Sequence, residues 1–160
     1  MELYHGSIEL VELPEIRTPN RTLDYGAGFY LTTSRAQADS WVRRKFKGDI
    51  VSGWLNVYEY NEDVEAALSV LSFDSPNEEW LDFVMANRMD KEFSHDYDIV
   101  KGPVANDRVY ASFALYEAGI LNKQTLIAEL KAYKLVNQIL LHSEAALSAI
   151  RFIKAYRISK

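Results

Sequence analysis

The sequence predicts an α+β fold, and three observations carry that expectation. Short apolar runs such as Phe29–Thr32 and Asn137–Leu141 alternate with isolated helix-period segments, without the regular strand–helix rhythm of a doubly wound parallel sheet. Helix-start signatures stand at Ser34, Ser75 and Asn122, each ahead of an apolar-periodic stretch. The 160 residues are 48% apolar and 26% charged, enough to bury roughly 68–70% of the unfolded surface as one unit, so one domain over residues 1–160 is expected.

Taken in order, residues 2–5 read as a short strand, followed by an irregular connection that Pro14, Thr18, Pro19 and Asn20 punctuate as far as Asp24. Gly26 and Gly28 feed a strand from Phe29 to Thr32. Ser34 with Gln37 forms a capping box for a helix to about Phe46, whose apolar face holds Ala38, Trp41, Val42 and Phe46. Strands are expected over Ile50–Tyr60 and Leu68–Phe73. Ser75-Pro76-Asn77-Glu78 reads as a helix start with the serine as N-cap, proline at N1 and glutamate at N3. Tyr97–Val100 reads as a buried strand that Gly102-Pro103 breaks, before a helix from Val104 to Ala118 that Gly119 stops. Asn122 caps a helix to about Lys134, and the chain closes with a strand at Asn137–Leu141, a short helix capped by Ser143 and a strand from Phe152 to Arg157.

A net charge of −5 gives no broad basic face for a phosphate backbone, although Arg43, Arg44, Lys45 and Lys47 form a local basic cluster. The absence of cysteine removes disulfides, thiolate catalysis and cysteine zinc sites. His5, His95 and His142 have no metal-ligand spacing, so no metal is assigned. Glu2, His5 and Glu9 interrupt the apolar core a signal peptide needs, and no run approaches the ~20 apolar residues of a membrane span. A soluble, cytoplasmic protein without a membrane partner is the expectation.

Three stretches carry the residues suited to chemistry: Leu3-Tyr4-His5-Gly6-Ser7, Gly26-Ala27-Gly28-Phe29-Tyr30-Leu31-Thr32-Thr33 and Asn137-Gln138-Ile139-Leu140-Leu141. Each sets a polar or aromatic residue among apolar ones at a strand edge, and together they suit a ribosyl-nicotinamide gripped by hydroxyl, amide and ring face. An imidazole nitrogen of His5 can reach a ribose hydroxyl, and Gly6 lets the backbone approach a carboxamide. The Tyr30 ring can stack on nicotinamide with Gly26 and Gly28 clearing space, and the Gln138 amide can bond the ribose 2′-hydroxyl. Taken singly, His5 also reads as a strand-end histidine packed on Tyr4 and bonded to a loop carbonyl, Tyr30 as core, and Gln138 as an exposed strand start. Ser7, Thr32 and Thr33 show no histidine–acid arrangement for a nucleophilic triad.

Together the three stretches, with Ala146-Leu147 and Phe152 behind the last, resemble the signature of the ADP-ribosyltransferases of the diphtheria-toxin and poly(ADP-ribose) polymerase type, whose key residues run histidine, tyrosine, glutamate. Trp80-Leu81-Asp82-Phe83-Val84 with Asn87-Arg88, and the run from Tyr97 to Asp107, are similar to a bacterial family of small uncharacterised proteins assigned to that superfamily. The resemblance implies an ADP-ribosyltransferase-like split β-sandwich with surrounding and inserted helices, and mono-transfer of ADP-ribose from NAD to an acceptor, protein mildly favoured over nucleic acid. It also implies a toxin-like or defence role, with a small antitoxin or immunity partner. His5, Tyr30 and Gln138 become the expected catalytic residues, and His5, Gly6, Ser7, Gly28, Tyr30, Thr32 and Arg88 the expected NAD contacts.

The departure is Gln138, which keeps a hydrogen bond but supplies no negative charge beside an oxocarbenium-like transition state. Losing one such interaction commonly costs ~10²–10³ in rate. Chain elongation is therefore not expected, and an NAD-binding or interaction module without turnover is the rival reading. Asp98 and Asp107 are the carboxylates considered as substitutes, and solvated or capping roles are favoured for both. Arg88 is expected at the pyrophosphate or the acceptor, while Asn106 and Asp107 are expected to cap a helix or line the cleft.

Overall fold

The computed structural model describes residues 1–19, 23–104 and 107–160. Seven strands form one sheet: β1 (Glu2–Ser7), β2 (Phe29–Thr32), β3 (Ser52–Tyr60), β4 (Val70–Ser72), β5 (Ile99–Pro103), β6 (Asn137–Leu141) and β7 (Ile150–Ser159). Four α-helices accompany them: α1 (Arg35–Arg43), α2 (Glu78–Met89), α3 (Asp107–Glu117) and α4 (Lys123–Ala132). Short 3-10 helices at Glu62–Ala67 and Ala145–Ala149 complete the order. The architecture is α+β.

The strand order is β4-β5-β6-β2-β1-β3-β7, and every neighbouring pair is antiparallel except β4 with β5. Pairing runs along both flanks, with a bulge between Val57 and Tyr58 against β7, but is thin between β1 and β2, where among the described residues only Tyr4 and Thr32 face each other. The sheet therefore has a seam, with β3 and β7 beyond β1 on one side and β6, β5 and β4 beyond β2 on the other.

Period-two alternation loads both faces of the second half. Val100 and Leu140 join Trp80, Val84, Phe113, Leu126 and Leu130 in a core under α2, α3 and α4. Their strand neighbours Ile99, Ile139 and Leu141 point the other way, into a core with Leu3, Leu31, Tyr58 and Tyr60. On the first half, α1 lies directly on β1 and β3. A Cβ on Gly6 would stand 2.1 Å from the Ala38 carbonyl oxygen, and one on Gly53 2.5 Å from Val42 Cγ1, so the helix sits where only hydrogen fits.

Several boundaries differ from expectation. α1 stops at Arg43 because the next amides turn back three residues, Lys45 N–H to the Val42 carbonyl and Phe46 N–H to that of Arg43. The N-cap of α2 is Asn77, whose Oδ1 accepts from Trp80 N–H at 2.9 Å, so Ser75 and Pro76 lie outside the helix. Gly102 and Pro103 do not break β5 but end it opposite Gln138 and Asn137, the proline taking a terminal position where its missing N–H does least harm. Asn20 and Asn106 lie outside the described residues, as does the side chain of Asp107. Among the described residues no helix is long and apolar enough to cross a membrane.

Candidate functional site

A cavity of about 670 Å³ opens at the seam. His5 and Gly6 of β1, Tyr30 of β2 and Gln138 of β6 line it, with Trp41, Arg44 and Lys45 from the end of α1, Arg88 of α2, and Leu23 and Asp24 from the loop before β2. Val104 and Tyr110 close the wall.

His5 is held on both sides of its ring. Its Nδ1 donates to the Tyr30 carbonyl oxygen at 2.7 Å, and the ring stacks on Phe29 with centroids 4.2 Å apart, not on Tyr4. That bond assigns the proton to Nδ1 and leaves Nε2 as an acceptor. Burial pushes the imidazole down to about 4, with Lys45 and Arg17 adding repulsion against the opposing pull of the Tyr30 carbonyl, so His5 is neutral at neutral pH.

Tyr30 is tied by its hydroxyl, which donates to the Gly26 carbonyl at 2.5 Å and accepts from Tyr25 N–H at 3.1 Å. Burial raises the phenol well above its ordinary range. The ring is thus fixed relative to the loop that carries Asp24.

Gln138 is 3% exposed, and its Nε2 completes no hydrogen bond although the carboxamide approaches the Tyr25 hydroxyl. That hydroxyl donates to the Pro103 carbonyl and accepts from Trp80 Nε1, both at 2.8 Å. Gly102, opposite Gln138 in the ladder, makes room for it, since a Cβ there would lie 2.5 Å from the Tyr25 oxygen. The bonded Tyr25 hydroxyl thus stands beside an amide with an unused donor, and an unpaired buried donor costs about 1–3 kcal/mol.

Among the described residues, Asp24, 7% exposed, is the carboxylate in this wall. Arg88 Nη1 reaches its Oδ1 at 3.4 Å and the Tyr110 hydroxyl its Oδ2 at 3.5 Å. Arg88 also approaches Glu117 at 3.7 Å and lies over the rings of Tyr110 and Phe113.

The structure thus brings His5, Gly6, Tyr30, Arg88 and Gln138 to one cavity and leaves Ser7, Gly28 and Thr32 outside its lining. Ser7 Oγ accepts from Glu9 N–H at 3.1 Å. Thr32 is fully buried, donating to the Asn137 carbonyl and accepting from Ser34 N–H. Gly28 abuts β6, where a Cβ would be 2.4 Å from the Leu141 carbonyl oxygen. Asp98 sits at the β4–β5 end, accepting from Ser69 N–H at 2.9 Å, its carboxyl held below the usual range by bonds from Ser143 and Ser69. Among the described residues no group of three or more metal-ligating side chains occurs.

Sequence reasoning missed Asp24, Trp41 and Tyr110. Asp24 read only as a loop end, and Trp41 shares the helical period of Ala38 and Val42, so its place at the cavity follows from where α1 ends. No curated protein matches the chain. A family model described as "Protein of unknown function (DUF3990)" matches residues 1–152, nearly the whole chain, and the protein therefore belongs to the DUF3990 family.

Proposed function

We propose that the protein binds NAD in the seam cavity and transfers ADP-ribose to an acceptor, releasing nicotinamide. The observation that carries this reading is the meeting of His5, Tyr30 and Gln138, from three distant stretches, around one cavity of about 670 Å³, within the range of small-ligand sites. The thin β1–β2 seam and the separate cores suit an ADP-ribosyltransferase-like split β-sandwich. The resemblance adds a bacterial toxin-like or defence role under a small protein inhibitor.

In this reading Tyr30 and Trp41 offer aromatic faces to the nicotinamide ring, and the Gly6 backbone meets its carboxamide. His5 Nε2 accepts from a ribose hydroxyl, while the unused Nε2 donor of Gln138 bonds the sugar from the other strand. As the bond from ribose to nicotinamide breaks, positive charge gathers on the sugar. Asp24 supplies the negative charge that Gln138 lacks, and Arg88, paired with Asp24 and Glu117, positions that carboxylate. The pyrophosphate then falls to Arg44 and Lys45 on the opposite wall.

Incubation with labelled NAD tests the reading: transfer to the protein itself or to a lysate, or nicotinamide release, is the expected result. An unchanged melting temperature at millimolar NAD would overturn it. Saturable binding without nicotinamide release would instead favour a second reading, a binding module without turnover, which Gln138 in the place of a carboxylate supports.

A further inference from the structure

Charge is distributed very unevenly along this acidic chain. Residues 35–47 and 150–160 hold nine of the 18 Lys and Arg but one of the 23 Asp and Glu, so these 24 residues carry +8 and the remaining 136 carry −13. The fold brings the two segments together. Arg43 Nη1 at the end of α1 donates to the Ser159 carbonyl of β7 at 3.3 Å, and Arg35 at its start lies 4.3 Å over the Tyr156 ring. Lys154 Nζ lies 5.4 Å from the centre of the same ring. Arg35, Arg43, Arg44, Lys45 and Lys154 are all exposed. Asp39 is paired with Arg43 at 2.6 Å, and Glu2 lies near Lys154.

The result is a basic track along α1 and β7, roughly 13 Å long from the rise of nine helical residues, that ends at the cavity mouth with Arg44 and Lys45. We infer that this track binds the phosphate backbone of a nucleic acid and leads it to the cavity, so that the acceptor of the transfer is a nucleic-acid strand. The acceptor assignment rests on the NAD reading above. The face favours nucleic acid over an acidic protein because it is Arg-rich and linear, and guanidinium groups match phosphate. In the transfer, an acceptor atom of the strand bonds to ribose C1′ as the bond to nicotinamide breaks. The electron pair leaves on the ring nitrogen, and the acceptor's proton passes to solvent.

The test measures anisotropy of a fluorescein-labelled single-stranded oligonucleotide against the full chain across about 50 to 200 mM salt, with poly-glutamate as competitor. The log of the association constant is expected to fall with a slope of about −3 to −3.5 against the log of salt, as for four or five phosphate contacts on a single strand. Arg35→Glu with Lys154→Glu should weaken binding by about tenfold or more while nicotinamide release from NAD stays unchanged, since neither residue lines the cavity. Arg35→Gln with Lys154→Gln, smaller in charge change, should give an intermediate loss and guards against misfolding. No salt-dependent binding, or poly-glutamate competing as well as nucleic acid, would overturn the inference while leaving the NAD reading standing. Oligonucleotide binding with no response to NAD would support the surface and overturn the acceptor assignment.

Discussion

The Nδ1 of His5 and the carbonyl oxygen of Tyr30 are 2.7 Å apart, so the imidazole of β1 is fixed by the backbone of β2 across the thinnest part of the sheet. One hydrogen bond thereby closes the seam and sets the tautomer of a cavity group. Burial makes that group sensitive to acid. The folded imidazole titrates near 4 against 6.5 in the ordinary state, so between these values the unfolded chain takes a proton that the folded one refuses. Stability should fall as pH drops through this window, by up to about 3 kcal/mol at its lower end. Urea melts at several pH values should show this slope in the native protein and a shallower one in His5→Gln. Parallel slopes would remove His5 as the cause.

Tyr30→Phe separates the ring from its tether. The variant keeps an aromatic face but leaves Tyr25 N–H and the Gly26 carbonyl without the phenol, at a cost of about 1–3 kcal/mol. Urea denaturation should register that loss, and NAD titration should show weaker binding because the Asp24 loop is no longer held. Retained stability would mean that water replaces the hydroxyl without penalty.

Asp24→Asn should lower the rate of nicotinamide release by ~10²–10³ with a smaller change in KM, the pattern of a charge used in the transition state. Gln138→Glu in the same background should restore part of the rate by returning a carboxylate to the wall. A change confined to KM would show that Asp24 contributes binding and no more.

Gly6→Ala places a methyl group against the Ala38 carbonyl and should destabilise the fold by about 1–3 kcal/mol or more, through displacement of α1. Gly53→Ala meets Val42 Cγ1 and the Ser7 carbonyl and should behave alike, whereas Gly102→Ala should act through Tyr25 and thus Gln138. Comparison of urea midpoints with NAD affinity distinguishes the two routes.

Strands were legible where local pattern and tertiary context agreed: β2 and β6 begin and end where their apolar runs do. Ser34 and Asn122 cap as their sequence signatures predict, with Oγ accepting from Gln37 N–H and Oδ1 from Thr125 N–H. The Ser75-Pro76-Asn77 start was misread because two competent caps stand two residues apart, and helix packing selects between them. Pro103 looked like a breaker because the sequence does not disclose that it falls at the last rung of a ladder. In the site, His5, Tyr30 and Gln138 could be singled out because polar groups in apolar runs are conspicuous. Asp24 could not, because it gains meaning only from Arg88 and Tyr110, which helices far along the chain bring to it. Gly28, outside the cavity lining, illustrates a related limit of local pattern: a glycine in a turn looks the same whether it clears room for a ligand or for a neighbouring strand.

The bare contact of α1 with β1 has a bearing on how the cavity admits a molecule. The helix rests on β1 and β3 through the Ala38 carbonyl and the small Val42 side chain, opposite Gly6 and Gly53, so the wall bearing Trp41, Arg44 and Lys45 is set by this close packing. Its counterpart, the stretch from Leu23 to Gly28, is hung from the Tyr30 phenol and from the imidazoles of His95 and His142, which reach the Tyr25 and Ala27 carbonyls at 2.8 and 2.6 Å. Three side chains from β2 and from the chain before β5 and after β6 thus anchor the main chain of this stretch, so the two walls are held by different means, one by close packing and the other by hydrogen bonds.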